Sequence, residues 1–155
     1  MGSSFVSYQS KGYWSRDALL EGWLRFLADK VKVLPAADPW LQQMGEHWYL
    51  QSSVGFIGCV NPGLDDYLTD QDRLETVVAL SRSVIEDLRR GELILTKEWL
   101  NAKSSGTGSS FLRDVPAALY VKEGLAFIAL LRGRITTTSR TAPPGGPSEG
   151  DFAES

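Results

Sequence analysis

The chain has one cysteine, Cys59, and one histidine, His47, in 155 residues. A single cysteine cannot close an internal disulfide, which suits a reducing compartment, and the chain reads as cytoplasmic. A zinc centre needs a cluster of Cys and His, and this inventory is too small for one. No apolar run approaches the roughly 20 residues that span a bilayer. The N-terminus shows no basic region followed by an apolar core, so no secretory signal is visible. "MGSSFV" opens like a myristoylation signal but carries Val6 where Ser or Thr is required.

Basic surplus is also missing. The formal charge is -3 and the pI is near 5.2, which argues against a nucleic-acid binder. The phosphate cradles are absent as well: "GTGSSF" lacks the third glycine of a dinucleotide loop, and the dipeptide Gly-Lys does not occur. There is no G-x-S-x-G elbow. No cofactor and no metal are expected.

What is present is helical periodicity. Leu19, Leu20, Trp23, Leu24, Phe26, Leu27 and Val31 recur at helical spacing over about 16–33. Ser15 is a candidate N-cap, with Trp14 positioned to pack on Leu19. A second helix starts at Asp38-Pro39 and runs to about 54. Leu41, Met44 and Trp48 trace its buried face, and Trp40 and Tyr49 flank that face. "LDDYL" reads as a helical turn. Thr69 with Asp72 three residues on fits a capping box, and Leu74 to Leu88 form an apolar stripe ended by Gly91. "ELILT" reads as a short strand or extended linker, "KEWLNAK" as a short helix capped by Thr96, and 104–110 as a loop. A last helix from Asp114 to Gly133 is apolar on most sides, with Gly124 permitting a close contact.

These elements predict an all-α fold: a compact bundle of four main helices over 1–134. A disordered polar tail rich in Pro, Gly, Ser and Thr follows over 135–155. Residues 1–12 show no periodicity and receive no element.

The chemistry-bearing candidates are few. A nucleophilic cysteine needs a base, and nothing in the spacing brings His47 to Cys59. "IGCV" reads as a buried structural thiol. Starting a calcium loop at Asp70 puts Glu75 where the glycine belongs and Ser81 where the glutamate belongs, so the pattern fails. Asp65 and Asp66 are adjacent, and neighbours on a helix point about 100° apart, so they make a poor acid–base pair.

Between 60 and 75 the chain carries Asp65, Asp66, Asp70, Asp72 and Glu75 against Arg73 alone. Asp70 and Asp72 suit the start of a helix. Asp65, Asp66 and Glu75 are left, and with Trp40 and Tyr49 they form the expected contact surface for a protein partner of basic character. The sequence therefore points to a small non-enzymatic binding protein, of which an acidic antitoxin- or immunity-type inhibitor of a basic toxin or nuclease is one instance. The alternatives are a hydrolase-type enzyme using Cys59 with His47, and a structural or homo-oligomeric subunit.

Overall fold

A computed structural model describes residues 2–53, 58–90 and 116–147. Two antiparallel strands open the chain, β1 (Ser3–Tyr8) and β2 (Lys11–Arg16). They are followed by α1 (Asp17–Lys32), α2 (Pro39–Ser53), the single turn α3 (Leu64–Tyr67), α4 (Gln71–Arg89) and α5 (Ala117–Leu131). The all-α, helical-bundle expectation is thus corrected: the described residues form a mixed architecture in which a β-hairpin stands beside five helices.

The hairpin has a physical logic that composition conceals. Val6 pairs with Tyr13, Ser4 with Ser15 and Phe5 with Trp14. Side chains alternate between the faces of a strand, so Ser4, Val6, Tyr8, Tyr13 and Ser15 point inward and are buried. On the outer face Phe5 meets Trp14 edge-on at 5.2 Å between ring centroids, a cross-strand aromatic pair. Trp14 therefore supports the hairpin. The two-residue turn is Gln9-Ser10, with φ of 51° and 70°. Two positive values in succession are the geometry of the type I′ turn, which favours Asn-Gly.

Ser15 lies within β2, so the first helix begins at Asp17 rather than under a serine cap. The start of α4 is also shifted: the Asp70 carboxylate, not the Thr69 hydroxyl, accepts from the Arg73 N–H at 2.8 Å. Helix α5 ends as the glycine predicts. Gly133 has a φ of 75°; its N–H donates to the Leu130 carbonyl, and the Arg134 N–H donates to that of Ala129. That pair of bonds is a Schellman closure.

Helix α1 packs against α2, α4 and α5, and α4 pairs with α5. Trp23, Trp48, Tyr13, Tyr120 and Phe127 are the largest fully buried side chains. The Gly124 prediction of a close contact is met: a Cβ there would lie 2.6 Å from the Trp23 ring.

Beyond α5 the chain returns to the hairpin. Ile135 is buried. The Gly12 N–H donates to the Thr137 carbonyl and the Thr137 hydroxyl donates to the Gly12 carbonyl, each at 2.8 Å. The expectations for "ELILT", "KEWLNAK", 104–110, the helix start at Asp114 and the end of the tail from 148 fall outside the described residues.

Candidate functional site

Helix α2 carries two exposed apolar residues at and beside a predicted contact residue, Tyr49 and Leu50. Trp40 and Tyr49 are nine residues apart, hence about 180° apart around the helix, and they mark the two edges of its outward strip. Each edge is held by cations from neighbouring elements. The Arg73 guanidinium lies over the Trp40 ring, 4.9 Å from its centroid. Arg25 and the Lys32 ammonium each lie 4.1 Å from the centroid of Tyr49. Next to Tyr49, in the last turn of α2, stands Leu50, half exposed at 49%, with Tyr49 at 40%.

Arg25 itself is buried at 6% exposure. Its Nε donates to the Ser52 hydroxyl at 2.9 Å, and a terminal nitrogen donates to Ser53. Both hydroxyls donate to the Tyr49 carbonyl. The guanidinium thus sits at the C-terminal turn of α2, where the helix dipole and the free carbonyls favour a cation. This arrangement fixes the Tyr49 ring from beneath.

The predicted acids separate into different roles. Asp65 Oδ1 accepts the Gln9 N–H at 2.8 Å, tying α3 to the hairpin turn. Glu75 takes both terminal nitrogens of Arg132, joining α4 to the residue that caps α5. The paired Arg132 holds the Glu75 carboxyl below the usual range. Asp66 and Asp72 stay exposed on α3 and on the first turn of α4. On the same two elements, Tyr67 of α3 lies against His47 of α2 at 5.8 Å between rings, and Arg73 of α4 against Trp40. The structure therefore brings Trp40 and Asp72 to neighbouring elements, and commits Asp65 and Glu75 to contacts within the chain.

Cys59 is exposed, which corrects the reading of a buried thiol. Val60 beside it takes the inward position, and its N–H donates to the Ser4 hydroxyl. His47 Nε2 bonds the Asn61 carbonyl at 2.7 Å, and no hydrogen bond joins it to Cys59 among the described residues. Among those residues no group of three His, Cys, Asp or Glu side chains could hold a metal ion. Among them, too, no helix is long and apolar enough to cross a membrane.

A second polar cluster escapes sequence reasoning. Glu123 stands on α5, buried, and accepts hydrogen bonds from the Tyr13 hydroxyl at 2.8 Å and from the Ser15 hydroxyl. Burial raises the Glu123 carboxyl above the usual range, against the lowering pull of these two bonds. Burial and the nearby Glu123 raise the Tyr13 phenol in turn. Tyr120 and Glu21 lie close enough for Glu123 and Glu21 to raise the Tyr120 phenol, behind the larger effect of burial. The one available signal was Glu123, next to Lys122, in "YVKEGLAFIALL", a helix whose other residues are mostly apolar. The cluster faces protein on all sides and fastens the hairpin to α5.

Comparison with known protein families, with curated proteins and with solved structures finds no match for this chain.

Proposed function

We propose that the chain is a protein-binding domain that acts by occupying a surface of its partner through the outward strip of α2. The observation that carries this reading is Leu50, exposed beside Tyr49, whose ring two cations hold in place. Aromatic anchors with little freedom left to lose make favourable contact points. Asp66 and Asp72, exposed on α3 and α4, add negative charge on the elements that adjoin α2 through Tyr67 and Arg73, which suits a partner with basic residues. The small size and the acidic pI fit an antitoxin- or immunity-type inhibitor of a basic toxin or nuclease.

The experiment compares partners co-purified from native cells by the wild-type chain, by Leu50→Glu and by Asp66→Asn/Asp72→Asn, with mass spectrometric quantitation. The dominant partner is then purified and its binding measured directly. Leu50→Glu is expected to abolish binding, and the double variant to slow association and flatten its salt dependence. Unchanged binding by folded Leu50→Glu places the interface elsewhere.

A further inference from the structure

Away from the α2 strip, a cleft of about 570 Å³ opens between the hairpin turn, the first turn of α4 and the end of α5. Its volume lies in the range of small-molecule sites, about 300–1,000 Å³. The floor is apolar: Leu74, Leu130, Leu131 and Ile135, all buried. The edge is polar, and its cations are Lys11 and Arg132. The two differ. Arg132 is already engaged by Glu75, whereas the Lys11 ammonium is exposed and has no carboxylate partner among the described residues.

We propose that this cleft binds a small organic carboxylate, its apolar body over Leu130, Leu131 and Ile135 and its charged group against Lys11. The division of the lining carries the inference. An apolar floor rewards a ligand with hydrocarbon to bury. A cation without a partner at its edge selects the sign of the head group. The amides of Gln9 and Gln71 also line the cleft but already donate to the Tyr8 hydroxyl and to Glu75, which leaves Lys11 to meet the carboxylate. This site is independent of the partner reading, since it shares neither Leu50 nor Tyr49 with the α2 strip.

The test uses the full chain, with octanoate as probe and octanol as its uncharged counterpart, followed by amide chemical shifts in solution. Octanoate is expected to give saturable shifts at Lys11, at Gln71 and across Leu130 to Thr136, and octanol to bind more weakly. Lys11→Ala, an exposed change that leaves the core alone, should weaken octanoate binding about fivefold, the scale of one exposed charge pair. Lys11→Arg should restore it. The proposal is overturned if no saturable shift reaches the cleft by about 10 mM octanoate, beyond the millimolar end of the affinity scale. It is equally overturned if Lys11→Ala binds octanoate as the wild type does.

Discussion

The Tyr13 hydroxyl donates to Glu123 at 2.8 Å across 110 positions of sequence. With Ser15 on the other carboxylate oxygen, it locks the second strand to the last helix. The bonding is asymmetric in its energetics. Both hydroxyls are served by the carboxyl, but the carboxyl is buried and its charged form is disfavoured.

A pH dependence follows. Glu123 has a folded pKa above its ordinary value of 4.5. Between that value and the raised one the native state holds more protons than the unfolded state. Stability therefore falls as pH rises through this window and levels off above it. Glu123→Gln should remove this component, so that wild type and variant diverge with pH in urea unfolding. Glu123→Leu should instead lose about 1–3 kcal/mol for each hydroxyl left unpaired. Identical pH slopes for wild type and Glu123→Gln would exclude Glu123 as the source.

The hairpin turn offers a stabilising change. Ser10 has a φ of 70°, a left-handed conformation costing L-residues roughly 1–2 kcal/mol. Glycine takes it freely, at an entropic cost of about 0.5–1 kcal/mol. Ser10→Gly should gain about 0.5–1 kcal/mol, read as a raised denaturation midpoint at constant slope. A loss of stability would mean that the serine side chain supports the turn.

Helices α1 and α5 meet through glycines. A Cβ on Gly22 would sit 2.5 Å from the Tyr120 ring, and one on Gly124 2.6 Å from Trp23. Both rings are fully buried and have no room to withdraw. Gly124→Ala should destabilise by about 1–3 kcal/mol through overpacking, despite the better helix propensity of alanine. Thermal denaturation that shows a gain would mean that the two helices can separate at little cost.

The long helices were legible because their apolar residues repeat with the helical period over many turns, as in Leu74 to Leu88 and Leu19 to Val31. The hairpin was not, for three local reasons. Its turn uses Gln9-Ser10 instead of Asn-Gly, its inward face includes Ser4 and Ser15, and its strands are six residues each. The polar inward residues make sense only once Asp17 and Glu123, far along or on other elements, are seen to receive them. Candidate contact residues were half legible. Exposure of Tyr49 follows from helical phase, but no local pattern says that Asp65 and Glu75 are claimed by Gln9 and Arg132.

That claim on Asp65 is itself testable. Its carboxylate holds the Gln9 N–H at the turn, while neighbouring Asp66 has the same charge and exposure without that bond. An exposed bond of this kind contributes about 1 kcal/mol, the ordinary net value for an intramolecular hydrogen bond. Asp65→Ala should therefore speed exchange of the Gln9 amide roughly fivefold. Asp65→Asn keeps an acceptor oxygen and should change it less, and Asp66→Ala should leave it alone. The same three variants separate architecture from recognition. If Asp65 is committed to the hairpin and Asp66 to the partner, Asp66→Ala alone should slow association while leaving Gln9 protected. Equal effects of Asp65→Ala and Asp66→Ala on both measurements would mean that the two acids act only through their summed charge.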